Sequence, residues 1–265
     1  MHSPLHCNVT TARINGRALQ QALKTTKATH GFGKFSPTQW IEVCPKCDAY
    51  GLGGEFTHPW PFLCADGVMR TVADFDAERN QYICRDLDFC GFKFSGSALE
   101  SAIENQFEYS TTQQVEKAGA HIHPESTPAE LLQFSQLVCD WGRGQRVWAN
   151  LLRHNRPEAL AAAYSSWFNM AKNAPDAQTA IEAGIHIKGL GVSFASKHLR
   201  MLAPEKFAVL DEVISEGFGF ALNQKGYQLF MQLLGEFSNK NHIEHNLATL
   251  ESGLFLLVRQ QVRAK

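Results

Sequence analysis

Two pairs of cysteines are residues whose type and spacing point to chemistry. Cys44-Pro45-Lys46-Cys47 sets two thiols two residues apart, and Cys84 and Cys90 form a second pair with five residues between them. Zinc takes four thiolates tetrahedrally, and two short loops at hairpin ends can deliver two each. Between the pairs, residues 68–75 and 81–84 flank a polar turn at 76–80, which reads as a β-hairpin. Cys44, Cys47, Cys84 and Cys90 therefore read as the ligands of a zinc ribbon. The second pair is wider than the roughly two to four intervening residues usual for such knuckles, and Cys64 or His58 is an alternative ligand for one member. A redox-active CxxC competes with this reading, but it wants a strand–helix context that the sequence does not suggest. Two unrelated thiol pairs are the third option. Structural zinc is favoured because a module this small otherwise lacks a sufficient core. Four thiolates leave no open position for water, so the ion is expected to organise the fold and not to react. Cys7 and Cys139 read as ordinary thiols.

A second constellation lies in residues 184–214, GIHIKGLGVSFASKHLRMLAPEKFAVLDEVI. Gly189 and Gly191 bracket Leu190, Lys188 precedes them, and Ala195 follows four positions after the second glycine. The apolar run from Phe207 to Leu210 then ends in one acid, Asp211. Glycine is needed where the backbone takes a positive φ or closely approaches a ligand. Gly191 directly precedes a predicted helix, so the amides there carry the positive end of the helix dipole and can hold a phosphate. A small Ala195 lets the paired helix pack closely. The alternative is an αα-turn that only packs a bundle.

Phosphate contact also asks for local positive surface, because the formal net charge of the 265-residue chain is only −1. Trp141-Gly142-Arg143-Gly144-Gln145-Arg146-Val147-Trp148, followed by Arg153 and Arg156, contains arginines and tryptophans but no acid. Arginines suit phosphates, and an aromatic such as Trp141 can stack on a displaced base. Trp148 reads more readily as core. Phe194, Phe218, Phe220 and Trp167 are further aromatics that a base pocket could use, although a Phe at helical spacing is more often core.

The elements that must position these residues change character along the chain. Residues 44–96 are rich in Cys, Gly and aromatics and read as β. From about residue 97 the pattern is helical, with apolar residues at helical spacing over 99–105, 128–141, 146–154, 157–172, 176–183, 192–202, 212–221, 225–237 and 243–262. A further helical candidate sits near 16–26. Pro128 and Pro157 stand where first-turn prolines belong, and Gly184 and Gly235 read as helix stops. The expectation is a mainly α protein: a small N-terminal β-rich module within 1–96 and a helical domain over 97–265. Hydrophobic residues make up 44% and charged residues 19%, an ordinary globular balance. The first residues lack the apolar stretch of a secretory signal, and the apolar run at 254–258 is too short to span a bilayer. A soluble cytoplasmic protein with no membrane partner is the default.

Residues 185–214 resemble the helix-hairpin-helix DNA glycosylase superfamily, which includes endonuclease III, the alkyladenine glycosylases and the 8-oxoguanine DNA glycosylases. In that family a Gly-apolar-Gly hairpin is followed about twenty residues later by an apolar run ending in an essential aspartate. Asp211 lies twenty residues after Gly191 and follows Ala208-Val209-Leu210. The wording Gly191-Val192-Ser193-Phe194-Ala195-Ser196-Lys197-His198-Leu199 leans toward bacterial proteins with an 8-oxoguanine-glycosylase-like fold.

The resemblance implies cleavage of the N-glycosidic bond of a modified or damaged base in duplex DNA. The transition state is oxocarbenium-like, and a carboxylate near the sugar stabilises its charge and orients a nucleophile. Asp211 is the matching acid; it would equally serve as an N-cap for the following helix. Bifunctional members carry a lysine two positions after the second glycine, where this chain has Ser193. Lys197, four positions on, shares a helix face with Ser193 and can reach the same pocket. Desolvation or a neighbouring cation would make its amine nucleophilic. Lys197 and Asp211 are thus the expected catalytic pair, with Lys188, Gly189, Gly191, Ser193, Arg143 and Arg146 on DNA. Two other functions remain open: a non-catalytic nucleic-acid-binding protein built from the hairpin and the zinc ribbon, and a subunit with protein partners in a bacterial assembly such as one for phage defence.

Overall fold

The computed structural model describes residues 12–15, 40–43, 50–52, 61–63, 67–71, 74–76, 81–82, 84–104 and 109–263. The protein is mainly helical and divides into two compact units, Met1–Gln106 with Ser252–Lys265, and Phe107–Glu251. The division falls ten residues beyond the boundary expected at residue 96, and the end of the chain returns to the first unit. Among the described residues no helix is long and apolar enough to cross a membrane.

In the first unit, β1 (Ala12–Asn15), β2 (Trp40–Val43) and β3 (Tyr50–Leu52) form an antiparallel sheet in sequence order. A second sheet has the order β4 (Phe62–Leu63), β5 (Met69–Arg70), β9 (Phe92–Ser95), β8 (Asp86–Phe89), with β5 and β9 parallel. A separate two-stranded ladder pairs β6 (Phe75–Asp76) antiparallel with β7 (Gln81–Tyr82). The hairpin expected from 68–75 and 81–84 is therefore confined to its inner end. Met69 instead pairs with Leu63 and Phe94.

Phe89, Phe92 and Phe94 bury the inner face of the β8–β9 hairpin. Its two-residue loop is Cys90-Gly91, with φ of 54° and 85°, the positive values a tight primed hairpin turn requires. A buried Asp74 carboxylate accepts bonds from the Thr71 amide (2.7 Å) and the Ser95 hydroxyl (2.6 Å). Ser95 Oγ in turn accepts from Ala98 N at 3.0 Å, so it caps helix α1 (Gly96–Glu104).

This hairpin separates Cys84 from Cys90. Cys90 sits in the loop at one end of β8, and Cys84 lies two residues before the other end, beside Asp86 (Sγ to Oδ1, 3.9 Å). The four-residue strand between them spans about 10 Å at ~3.3 Å per residue. Two sulfurs on one zinc ion lie only ~4 Å apart, so a shared ion would need the chain on either side of this strand to bring the two thiols together. The wide spacing in the sequence reflects an intervening strand and not a long loop. Cys44, Cys47, Cys64 and His58 lie outside the described residues, as does the helix expected near 16–26.

The second unit holds α2 (Tyr109–Ala120), α3 (Pro128–Trp141), α4 (Gln145–His154), α5 (Pro157–Asn173), α6 (Ala177–Ile185), α7 (Val192–Leu202), α8 (Glu212–Phe218) and α9 (Gln224–Asn241). The last helix, α10 (Leu247–Arg263), begins in this unit and belongs to the first from Ser252 on. Helix starts follow local chemistry. Thr127 and Glu130 form a reciprocal capping box ahead of α3, with Pro128 in its first turn. Asp176, Asp211 and Asn223 cap α6, α8 and α9.

Neither expected glycine stop ends a helix. Gly184 lies inside α6, where a Cβ would stand 2.3 Å from the Trp167 ring, so its smallness serves packing. Gly235 lies inside α9, and nothing around it explains the choice of glycine. Helix α8 stops at Phe218 and not at 221, because Gly219 takes a left-handed φ of 78°.

Helix α7 runs through the middle of this unit. Every residue from Ala195 to Leu202 is buried, including Ser196, Lys197, His198 and Arg200. A helix enclosed on all sides is normally apolar throughout, and each buried polar group must find a partner. His198 finds its partners within an aromatic cluster. Its ring stacks 5.7 Å from Tyr164 and meets Phe134 edge-on at 6.3 Å. His198 Nδ1 lies 2.7 Å from the Phe194 carbonyl, which can only accept, so Nδ1 carries the proton. Nε2 then accepts from Ser135 Oγ at 2.8 Å, and Ser135 in turn lies 2.6 Å from the Tyr164 hydroxyl. Burial pushes His198 down to about 4, which keeps the ring neutral.

Candidate active site at the Lys197–Asp211 pair

The hairpin between α6 and α7 is held from below by apolar side chains. Ile187 and Leu190 are buried, while Lys188 and Gly191 are exposed. Gly189 has φ +100°, a value that L side chains rarely adopt, and it lies close against Asn150 and Leu151 of α4. Asn155 Nδ2 donates to the Lys188 carbonyl at 2.8 Å, which ties the same turn to the end of α4. Gly191 is the N-cap of α7, and its carbonyl accepts from Phe194 N (3.1 Å) and Ala195 N (2.9 Å). The first-turn amides of α7 thus stand at an exposed turn, a geometry suited to an anion.

One turn into α7, Lys197 reaches back along the helix. Its Nζ donates to Ser193 Oγ at 3.1 Å and lies 3.5 Å from Asp211 Oδ2. The two side chains are 9% and 19% exposed. The ammonium sits 5.1 Å from the centre of the Phe194 ring. The turn after α3 covers the stem of the lysine: a Cβ on Gly142 would stand 2.9 Å from Lys197 Cδ and from Phe194 Cε1, and one on Gly144 would strike the Phe194 ring at 2.2 Å. Burial holds the Lys197 amine below the usual lysine range, opposed by Asp211 and then by Glu251.

The other oxygen of Asp211, Oδ1, accepts from Val213 N (3.0 Å) and Ile214 N (3.2 Å). The acid is therefore an N-cap and the partner of an amine at once. The run that delivers it, Phe207 to Leu210, is fully buried and belongs to neither a helix nor a sheet. Buried backbone groups need partners, and side chains from other elements provide them. Tyr227 OH donates to the Ala208 carbonyl at 3.1 Å, and Leu210 N donates to Ser196 Oγ at 3.1 Å.

Around the pair lies a wider buried set of charges. Glu251 is 4% exposed, and burial pushes it up to about 8, so it carries a proton at neutral pH; Arg200 and Lys197 act against that shift, and Asp211 acts with it. Arg200 pairs with Glu116 at 2.8 Å and lies 5.3 Å from the Trp141 ring. Trp141 also donates from Nε1 to Thr112 Oγ1 at 2.9 Å. Its half-buried indole is thus held by contacts to α2 and α7. Trp167 and Phe220 are buried, Trp167 donating to the Ala180 carbonyl and Phe220 packing on Phe230. Of the expected pocket aromatics, Phe194 is the one in contact with the amine.

The arginine patch is on the surface. Arg143, Arg146, Arg153 and Arg156 are exposed. Arg143 has φ 56°, a left-handed conformation that costs a non-glycine residue about 1 kcal/mol or more. It lies between the two glycines that press on Lys197 and Phe194. Strain of this kind persists where the surroundings enforce it, and here it puts a guanidinium-bearing residue next to the amine's cover.

Sequence reasoning misses Ser196, Arg200 and Glu251. Glu251 alone carries a weak signal, a lone polar residue whose neighbours at helical spacing, Leu247, Ala248, Leu254 and Phe255, are all apolar; Ser196 and Arg200 have polar neighbours at that spacing and carry none. No family model matches the chain, and no curated protein or solved structure matches it either.

Proposed function

We propose that the protein is a DNA glycosylase that removes a modified or damaged base, with Lys197 as the nucleophile and Asp211 as its carboxylate partner. The observation that carries this reading is the 3.5 Å approach of the two groups beside a Gly-Leu-Gly hairpin whose Gly191 is exposed, with the amine held below its usual range. A deprotonated amine attacks C1′ of the nucleotide. Its lone pair forms the new bond as the bond from C1′ to the base breaks, and the base leaves with that electron pair and takes up a proton. Loss of a proton from nitrogen then opens the sugar ring to an imine. Asp211 balances the positive charge on the sugar as it develops. Lys188, the amides at Gly189, Gly191 and Ser193, and the guanidinium groups of Arg143 and Arg146 would hold the phosphates on either side.

The test is incubation with duplexes carrying a panel of base lesions in the presence of borohydride. A covalent protein–DNA adduct that disappears in Lys197→Ala supports the reading. Base release without an adduct assigns the attack to water and keeps only Asp211 in the role.

One observation favours a second reading. Asp211 already caps α8 and the amine is only 9% exposed, which suits a structural ion pair in a nucleic-acid-binding module. Salt-dependent duplex binding with no base release from any lesion would select that alternative.

A further inference from the structure

We propose that helix α4 carries a strand-gripping surface beside the glycine turn, in which Arg153, held in place by Asn150, binds a DNA phosphate in line with Arg146. Arg146, Asn150 and Arg153 follow one another at spacings of four and three along α4, so they share one face of that helix. Arg146 and Arg153 are exposed, and Asn150 is half-buried. The Arg153 guanidinium donates from Nη2 to Asn150 Oδ1. That bond orders a long side chain in advance, which lowers the entropy lost when a ligand binds it. The same Asn150 side chain touches the hairpin: a Cβ on Gly189 would stand 3.2 Å from its Nδ2. Asn155, just past the end of α4, donates to the Lys188 carbonyl at 2.8 Å. The arginine stripe and the glycine turn therefore adjoin directly.

Charge decides what such a surface fits. Neither residues 141–156 nor residues 183–204 include an acid. Among the described residues, Arg146, Arg153 and Lys188 form no ion pair with a carboxylate. Asn150 occupies one guanidinium N–H of Arg153 and leaves the others for an anion. From Arg146 to Arg153 the helix rises ~10 Å, the axial length of about three nucleotides of one DNA strand. A single small anion reaches one of these arginines, whereas a strand with regularly repeated phosphates reaches both. The choice of DNA rests on the proposed function; the surface itself is defined by contact and charge.

The measurement is fluorescence anisotropy of the full chain with an undamaged duplex, titrated across salt concentration. Arg146→Ala and Arg153→Ala alter exposed side chains and are expected to fold. Each should weaken binding several-fold and lower the slope of log affinity against log salt by about one, and the double variant by about two. Asn150→Ala removes no charge, yet it should weaken binding as well. Because Asn150 acts through Arg153, combining Asn150→Ala with Arg153→Ala should bind no more weakly than Arg153→Ala alone. Losses that add would make Asn150 a structural support of the turn and overturn its positioning role.

An unchanged salt slope in Arg153→Ala overturns the surface. Slope losses with no base release from any lesion keep the surface and remove the glycosylase reading. Unchanged slopes together with a borohydride-trapped adduct do the reverse.

Discussion

Leu210 donates its amide proton to Ser196 Oγ at 3.1 Å, one residue before Asp211. This bond ties the segment that delivers the acid to helix α7, the helix that carries the amine. Ser196→Ala is expected to leave the Leu210 amide without a partner and to destabilise the protein by about 1–3 kcal/mol. Urea unfolding measures that loss, and borohydride trapping by the folded fraction should slow as well.

Asp211 serves two partners, and two substitutions distinguish them. Asparagine caps a helix as well as aspartate does, so Asp211→Asn should retain the α8 cap, whereas Asp211→Ala should lose a further ~1 kcal/mol of stability. Both remove the charge facing Lys197. Under the proposed function both should lower base release by about a hundredfold or more. Activity retained in Asp211→Asn would leave the acid as a cap alone.

Gly142 touches the lysine stem where no side chain fits. A Cβ there meets Lys197 Cδ and Phe194 Cε1 at 2.9 Å. Gly142→Ala should therefore fold with a modest penalty of about 1–3 kcal/mol but displace the amine. Displacements of ~1 Å at a reacting group cost on the order of a hundredfold. Trapping rates compared with circular dichroism of the same preparation separate the two effects.

Stability should depend on pH through two buried groups of opposite sign. Glu251, ordinarily at 4.5, is pushed up to about 8, so the folded chain holds a proton that the unfolded chain has lost across that range. Stability from this group falls as pH rises from 4.5 to about 8. His198, ordinarily at 6.5, is pushed down to about 4, so the unfolded chain binds the extra proton and stability falls as pH drops through that range. The slopes oppose each other between 4.5 and 6.5, giving a plateau there and a decline from 6.5 to about 8; Lys197, held below its usual 10.5, works against that decline wherever its amine is already free in the folded chain. Unfolding midpoints across pH should show this shape, and Glu251→Gln should remove the alkaline decline.

Arg143 is expected to contact phosphate. Arg143→Ala should weaken binding to duplexes of any sequence and reduce the slope of log affinity against log salt by about one. Arg143→Gly relieves the left-handed strain as it removes the charge, so it should raise stability while weakening binding in the same way. An unchanged salt slope in both would remove Arg143 from the interface.

Much of the helical unit is legible in the sequence where local chemistry decides. Thr127, Pro128 and Glu130 mark the start of α3, and Gly191 marks the start of α7. Lys197 and Asp211 come within reach of a sequence reading because a four-residue spacing on a helix keeps Lys197 beside Ser193. Helix α2 carries no such signal, because its sequence, YSTTQQVEKAGA, is mostly polar. Thr112 accepts from Trp141, and Gly119 lets the helix lie against the Met201 carbonyl, so tertiary contacts make that helix. Glu251 is hidden for a similar reason. The charges that act on it are brought together only by the fold. The contact of Trp141 with Arg200 is not legible either, because a tryptophan beside arginines looks the same in sequence wherever its ring packs.

The buried run that delivers Asp211 has its main chain served by a tyrosine and a serine from two different helices. A minimal graft of the glycine turn, the lysine and the aspartate onto another helical scaffold would leave those main-chain groups stranded. The smallest transplantable unit must carry Ser196 and Tyr227 with it, and an engineer who omitted them would obtain the letters of the motif without its geometry.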